Sequence, residues 1–219
     1  MPTVPRAHAA DAARPASGAL VIPTQAAPRP EARAEREAEM AELSRHAEAC
    51  RRCALGGTRT QAVFGTGDID AKLMFVGEGP GRDEDAQGIP FVGRAGQKLN
   101  SLIEKLGLRR EQVYICNVVK CRPPENRTPL PEEVEACRPY LDRQLLVGSP
   151  KVIVALGLSA AQALLGVKLP MAQLRRERHR LGDAIVIATY HPAYVLRNPK
   201  AAWDVWDDVK DVPALLNDA

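Results

Sequence analysis

The chain has 219 residues, 45% of them hydrophobic and 4% aromatic, with a formal net charge of +3 and a pI of about 8.6. This length and apolar content suit one globular domain, and the mildly basic balance permits a nucleic-acid partner without requiring one. No apolar run approaches the ~20 residues that span a bilayer, and "ALVIP" is too short for a signal peptide, so membrane proteins and exported disulfide scaffolds are disfavoured.

The first 33 residues are rich in Ala, Pro and Arg and contain few apolar anchors. This composition predicts a disordered tail at 1–33, with a transit peptide as a minor alternative, and a folded domain at 34–219. From Glu31 the stretch "EARAEREAEMAELSRHAEAC" favours a helix that leads into the first cysteines.

Strands and helices then alternate along the chain. The predicted strands are "KLMFVGE", "QVYICNVVK", "PKVIVALG" and "AIVIATYHP". The predicted helices are "AGQKLNSLIEKLGL", "LPEEVEACRPYLDRQLLVG", "LSAAQALLG" and "AAWDVWDDVKDVPALL", and Pro139 should bend or divide the second of them. Continuous apolar strands separated by helices indicate an α/β fold, with a parallel sheet covered on both faces.

Functional residues of such folds gather at the carboxyl ends of the strands. That rule selects "GEGPG", "CNVVKC", "ALG" and "YHP". The basic stretch "RRERHR" at Arg175–Arg180 is interpreted as a solvated hairpin, with phosphate contact as the functional alternative.

The stretch Val76–Gly93, "VGEGPGRDEDAQGIPFVG", raises the question of a phosphate-binding loop. It lacks the lysine of a P-loop, and its glycines do not follow the G-x-G-x-x-G spacing, so a nucleotide site is not predicted. Asp83 and Asp85 are interpreted as solvated loop charges or acids at a helix start.

Four of the five cysteines fall into two pairs. Cys50 and Cys53 form a C-x-x-C, and Cys121 precedes Cys137 by sixteen positions. The pairs predict a metal site, and both zinc and an iron–sulfur cluster accept four cysteines. Cys116 lies within a predicted strand and is interpreted as a packed free thiol.

With these residues assembled, the chain resembles the family 4 uracil-DNA glycosylases, the iron–sulfur class of their superfamily. The resemblance rests on "GEGPGRDEDAQGIPFVGRAGQKLN", "YICNVVKCRPPENRTPLPEE", "YHPAYVLRNP" and the four cysteines. It implies a three-layer α/β/α sandwich with a central, mainly parallel four-stranded sheet, and hydrolytic excision of uracil from DNA. It also implies a structural [4Fe–4S] cluster on Cys50, Cys53, Cys121 and Cys137, with zinc as the alternative.

The resemblance also implies roles for three residues that would contact the base. Phe91 would stack on the uracil. Asn117 would read its edge, accepting from N3–H and donating to O4, provided that its amide orientation is fixed. His191 would donate to uracil O2, where negative charge builds as the bond breaks.

The carboxylates and the remaining loop residues carry weaker assignments. Glu78, with Asn126, would position water or offset the cationic charge of the sugar. Better-known relatives carry a water-activating Asp where this chain has Gly79. Gly79 and Pro80 would lie against the flipped base, and Glu84 would disfavour the methyl group of thymine.

The segment "AYVLRNP" resembles the part of the family that wedges into DNA. Leu196 or Arg197 would fill the space left by the flipped base, and Arg197 could hold a phosphate. We expect uracil-containing DNA as the partner, no membrane, a monomer, and a cytoplasmic location, with nucleoid association in a bacterium. The alternatives are a non-turnover uracil-DNA binding protein and a zinc-stapled nucleotide-binding module.

Overall fold

The computed structural model describes residues 29–217. Apart from residues 29–33, the predicted tail therefore lies outside the described residues. The first helix, α1, runs Arg33–Ala49, close to its predicted start at Glu31. Within the described part of the chain, no helix is both long enough and apolar enough to cross a membrane.

The centre of the fold is a sheet in which four parallel strands are flanked by two antiparallel edge strands, in the order β1-β3-β2-β4-β6-β5. The strands are β1 Thr66–Gly67, β2 Leu73–Gly77, β3 Tyr114–Asn117, β4 Val152–Leu156, β5 His179–Leu181 and β6 Ala184–Thr189. The parallel four-stranded centre confirms the prediction, and the two short edge strands are additional to it.

The remaining helices cover the two faces of this sheet. They are α2 Arg82–Gln87, α3 Arg94–Lys105, α4 Pro131–Gly148, α5 Leu158–Leu165, α6 Met171–Leu174, α7 Pro192–Arg197, α8 Ala201–Val209 and α9 Val212–Asn217. Of the two effects expected of Pro139, a bend or a division of the helix, the division does not occur. The helix continues through Pro139 because its neighbours Cys137, Tyr140 and Leu141 are buried, and their packing offsets the lost hydrogen bond.

Alternating side chains of each strand enter two separate cores, as expected for a sheet with both faces covered. Val76, Cys116 and Ala155 belong to the core that contains residues of α1, α4 and α5. Phe75, Ile115 and Val154 belong to the core that contains residues of α3, α8 and α9. These layers form the α/β/α sandwich that was predicted.

The basic stretch at Arg175–Arg180 leads into the β5–β6 hairpin. Two of its arginines bind carboxylates within the molecule: Arg175 Nε lies 2.8 Å from Asp208 Oδ2, and Arg178 Nη2 lies 2.7 Å from Asp211 Oδ2. The stretch therefore lies at a hairpin, but Arg175 is half-buried in an ion pair and is not solvated as expected. The charges of Arg175 and Arg178 contribute to packing of the C-terminal region against the hairpin.

Candidate active site

A cavity of about 480 Å³ opens at the carboxyl ends of the four parallel strands. The predicted site residues that line it are Glu78, Gly79, Pro80, Glu84, Phe91, Asn117, Asn126, His191 and Arg197. Leu196 is half-buried on α7 and does not line the cavity. The fold thus brings together residues that are more than a hundred positions apart in the chain.

Asn117 ends β3 with its side chain buried beside the cavity; the residue is 1% exposed. Its Oδ1 is buried and has no hydrogen-bond partner among the described residues. An unpartnered buried acceptor costs about 1–3 kcal/mol, so the site holds an unused capacity to accept a hydrogen bond. A Cβ at Gly77 would come within 2.4 Å of this oxygen, which explains why β2 ends in glycine.

Phe91 is nearly buried, 5% exposed, and adopts a left-handed backbone conformation with φ of 53°. A Cβ at Gly96 would approach the Phe91 carbonyl oxygen to 1.9 Å, so only glycine permits this close packing of the loop on α3. The Phe91 ring lies 5.6 Å from the His191 ring, centroid to centroid, with an interplanar angle of 33°. The two rings form one side of the cavity.

His191 is the N-cap residue of α7, and its Nδ1 accepts a hydrogen bond from the backbone N–H of Ala193 at 3.1 Å. A neutral imidazole that accepts at Nδ1 carries its proton on Nε2. Burial, reinforced by the positive charge of Arg197, lowers the pKa of His191 to about 4. The side chain is therefore a neutral donor at physiological pH.

Glu78 follows β2 and is half-buried at the edge of the cavity. Burial raises the pKa of its carboxyl group above the usual value, and a hydrogen bond with Ser159 counteracts that rise. A Cβ at the adjacent Gly79 would approach Val119 Cγ2 to 2.8 Å. A side chain at position 79 would therefore require Val119 to shift, and Glu78 is the carboxylate that directly follows β2.

The Glu84 carboxylate holds the loop together from within α2. It accepts hydrogen bonds from the backbone N–H groups of Gly81, Val92 and Gly93 at 3.1, 3.0 and 3.0 Å. Asp85, on the same helix, is buried and accepts from the N–H of Thr60 at 2.9 Å, so it is not a solvated loop charge. Asp83 is exposed in the first turn of α2, which agrees with its interpretation as an acid at a helix start.

Asn126 lies across the cavity in a strained loop. Both Asn126 and Glu125 have left-handed backbone angles, with φ of 56° and 54°. Arg122 Nε donates to Asn126 Oδ1 at 2.8 Å and so orients the amide. Non-glycine residues in this conformation are uncommon and concentrate at functional sites.

The four paired cysteines line a second, smaller cavity between α1, the segment after β3, and α4: Cys50, Cys53, Cys121 and Cys137. The Lys120 N–H donates to Cys137 Sγ at 3.3 Å, and Arg59 Nη1 donates to Cys121 Sγ at 2.7 Å. Burial raises the pKa of Cys137 to about 12, and the nearby thiols of Cys121 and Cys50 contribute to the rise. Cys116 is buried and does not line this cavity.

Between residues 29 and 217, no group of three or more His, Cys, Asp or Glu side chains is placed to hold one metal ion. The four thiols instead surround a cavity that Arg52, Arg59 and Lys120 also line. Backbone and guanidinium donors to sulfur, with cations nearby, suit an anionic group bound by thiolates.

Two residues that the sequence interpretation missed connect these features. Ser159, in the first turn of α5, binds Glu78; the strand end "ALG" was noticed, but the serine two residues later was not. Lys120 is fully buried, and its Nζ donates to the Asn117 carbonyl oxygen at 2.7 Å and to Gln144 Oε1. No sequence signal marks a lysine that is buried beneath a site.

Comparisons with known proteins agree with this geometry. Residues 64–212 match the family model described as "Uracil DNA glycosylase superfamily". The type-4 uracil-DNA glycosylase of Thermotoga maritima is 49% identical over 165 residues, which are 74% of this chain and 86% of that protein. That of Archaeoglobus fulgidus is 47% identical over 182 residues, 80% and 92% of the two chains. A type-5 enzyme of Thermus thermophilus is 34% identical over 149 residues, 59% and 68% of the two chains.

Proposed function

This chain belongs to the type-4 uracil-DNA glycosylases of the uracil-DNA glycosylase superfamily, and we propose that its cavity cleaves the N-glycosidic bond of a uridine flipped out of DNA. The enzyme is a DNA repair hydrolase that releases free uracil and leaves an abasic site. The observation that carries the assignment is that one cavity holds both an acceptor without a partner, Asn117 Oδ1, and a neutral donor, His191 Nε2–H.

Recognition of the base begins with stacking and edge reading. Phe91 presents its ring to the flipped base, and Asn117 accepts from N3–H through Oδ1 while its amide N–H donates to O4. Cytosine carries a lone pair and an amino group at these positions, so it would leave the buried oxygen unpaired. A site built to pair such groups rejects a base that cannot pair with them.

Bond cleavage moves electrons from the sugar onto the uracil, and His191 stabilises the departing anion. Its Nε2–H donates to uracil O2, and the Ala193 N–H holds Nδ1 so that the donor is already oriented. Removal of one such donor typically costs about 2.7–4 kcal/mol of transition-state stabilisation.

The sugar becomes cationic as the bond breaks, and the carboxylate of Glu78, which lines the cavity, is proposed to offset that charge. The hydrogen bond with Ser159 stabilises the ionised form of Glu78. Asn126, whose amide oxygen accepts from Arg122 Nε and which lines the cavity, is proposed to hold the attacking water. Because position 79 is a glycine and carries no carboxylate to activate water, electrostatic stabilisation is expected to contribute more than general-base catalysis.

The remaining assignments concern shape and DNA contact. Gly79 and Pro80 lie against the base, and Glu84 restricts the loop beside the C5 edge where thymine carries a methyl group. Arg197 at the cavity mouth is proposed to contact DNA phosphate. Leu196, half-buried on the same helix, is proposed as the wedge that enters the base stack.

The four paired cysteines are proposed to hold a structural [4Fe–4S] cluster through Cys50, Cys53, Cys121 and Cys137. In such a cluster each thiolate binds a different iron, so the sulfurs surround a core, whereas zinc requires all four sulfurs at about 2.3 Å from one ion. The proposal is supported by the four thiols lining one cavity, where the Lys120 N–H and the Arg59 guanidinium donate to Cys137 Sγ and Cys121 Sγ. The cluster would brace α1, α4 and the segment after β3, and no reaction step involves it.

The proposal is tested by incubating the protein with an end-labelled oligonucleotide that contains one uracil, followed by hot alkali. We expect cleavage at the uracil position, and a loss of at least 100-fold in rate for His191→Ala and for Asn117→Ala. Intact strands with the wild-type protein would contradict glycosylase activity. Tight binding without uracil release would instead support the non-turnover binding protein.

A further inference from the structure

Tyr194, on α7, is an aromatic residue at the mouth of the active-site cavity. It is 38% exposed, and it lines the opening together with Arg197 and the exposed Leu158. Tyr194 and Leu158 thus both expose apolar surface at the rim of a cavity, where exposed apolar surface is typical of a binding groove.

The Tyr194 ring is supported from within the molecule. It lies 4.9 Å from the Tyr190 ring, centroid to centroid, at an interplanar angle of 30°. On Tyr190, in turn, lies the Arg175 guanidinium, 4.3 Å from the ring centroid. Arg175 is fixed by Asp208, whose Oδ2 also accepts from Thr189 Oγ1 at 2.6 Å. Tyr194 therefore packs on a ring that contacts an anchored arginine, while its own ring is exposed.

This packing restricts the orientation of the Tyr194 ring before any ligand binds. The side chain therefore loses little conformational entropy when a ligand stacks on it. A flat, exposed and supported ring fits another flat aromatic group. When a uridine leaves the duplex, the base beside it loses its stacking partner on one face. An aromatic ring at the cavity mouth is positioned to replace that partner.

We propose that Tyr194 stacks on the nucleobase adjoining the extruded uridine in the same strand. The inference rests on the proposed function, because it assumes that the cavity receives a flipped uracil. Every base has a π-face, so the contact would tolerate any neighbouring sequence. It would stabilise the complex with the extruded base, and its loss should raise KM more than it lowers kcat.

The test uses a duplex with one uracil opposite guanine and compares the wild type with Tyr194→Ala and Tyr194→Phe. Base–aromatic stacking of about 1–3 kcal/mol corresponds to roughly 5- to 150-fold in affinity, so we expect about a tenfold rise in KM for Tyr194→Ala. Tyr194→Phe keeps the ring and should restore most of the loss. Melting temperatures within a few degrees of each other would show that both variants fold.

The decisive arm replaces the neighbouring nucleotide by a tetrahydrofuran abasic analogue, on the 5′ side or on the 3′ side of the uridine. On one side, removal of the base should abolish the difference between wild type and Tyr194→Ala, because the two changes remove the same contact. A difference that persists both with the analogue on the 5′ side and with the analogue on the 3′ side overturns the proposal.

Trp203 provides the matched control. It is 74% exposed on α8, does not line the cavity, and lies near Lys105, whose Nζ is 5.9 Å from its ring centroid. Trp203→Ala should leave KM unchanged; an equal rise would overturn a specific role of Tyr194. If the wild type releases no uracil, the proposed function fails; if it does and Tyr194→Ala equals it, only the stacking contact fails.

Discussion

At the scale of single residues, the active-site cavity depends on side chains whose protonation and orientation are set by their own surroundings. His191 is kept neutral by burial and by Arg197, and its tautomer is set by the Ala193 N–H. Burial raises the pKa of the Glu78 carboxyl group above its usual value. The pKa of His191 therefore lies below its ordinary value, and the pKa of Glu78 lies above its ordinary value.

The first prediction concerns the pH dependence of the rate of uracil release. His191 should remain a neutral donor down to about pH 4, so no loss of rate is expected near its ordinary pKa of 6.5. The rate should instead fall with decreasing pH as Glu78 becomes protonated, above the ordinary pKa of a glutamate. Single-turnover rates measured from pH 4 to pH 9 test this expectation.

Glu78→Gln separates the two groups. This variant cannot ionise, so the acid limb should disappear while the rate falls by roughly 100-fold at neutral pH. An acid limb that persists near pH 6.5 in Glu78→Gln would assign the titration to a charged His191 and contradict the neutral donor.

The depressed pKa of His191 should also make the free energy of unfolding depend on pH. Unfolded His191 binds a proton below about pH 6.5, whereas folded His191 does so only below about pH 4. The depressed pKa therefore contributes stability that is present above pH 6.5 and declines as the pH falls through this window.

At the scale of secondary-structure elements, the short helix α2 controls the loop that carries Phe91. Its Glu84 carboxylate accepts hydrogen bonds from three backbone N–H groups, two of which belong to the residues directly after Phe91. Hydrogen bonds to a charged acceptor are worth about 1.5–3 kcal/mol each. The Glu84 side chain thus fixes the loop backbone after Phe91, which has no regular secondary structure to hold it.

The second prediction follows from this arrangement. Glu84→Ala should lower kcat/KM for uracil by about tenfold or more, because the Phe91 loop loses its common acceptor. Asp83→Ala is the control: it removes a partly exposed carboxylate from the same helix turn and should have little effect. Release of thymine by Glu84→Ala would show that this side chain also excludes the methyl group; equal losses in both variants would contradict a specific role.

Prediction from sequence succeeded for elements with strong periodicity and failed for those set by tertiary contacts. The four parallel strands were visible because their residues are apolar on both faces. Helix α2 was not predicted, because "RDEDAQ" has no apolar stripe. Hydrogen bonds to the Glu84 and Asp85 carboxylates hold this helix in place instead. Likewise, the contact of Ser159 with Glu78 joins two strand ends that only the sheet order makes adjacent.

At the scale of the whole molecule, the cysteine cavity joins parts of the chain that the sheet does not connect. Helices α1 and α4 pack together, and a buried ion pair between Arg143 and Glu39 links them. The cysteines add the segment after β3 to this pair. Lys120 extends the connection to the active-site cavity, since its Nζ binds the carbonyl oxygen of Asn117 and its N–H binds Cys137.

The third prediction concerns loss of the proposed cluster. Anaerobically purified protein should absorb near 400 nm, and Cys137→Ala should lose this absorbance and several degrees of melting temperature. Cys116→Ala is the control, because it removes a buried thiol outside the cavity and should keep the absorbance. Colourless wild-type protein with one zinc per chain would contradict the cluster and support zinc.

The close approach of Asn117 and Phe91 to Gly77 has a consequence for variation of this sequence. A Cβ at position 77 would lie 2.4 Å from Asn117 Oδ1 and 2.6 Å from Phe91 Cζ. Positions 77, 91 and 117 therefore share one small volume, and a larger residue at the first requires smaller ones at the others. In a library randomised at position 77, functional clones should therefore retain glycine, because smaller residues at 91 or 117 would remove the ring or the amide that the site uses.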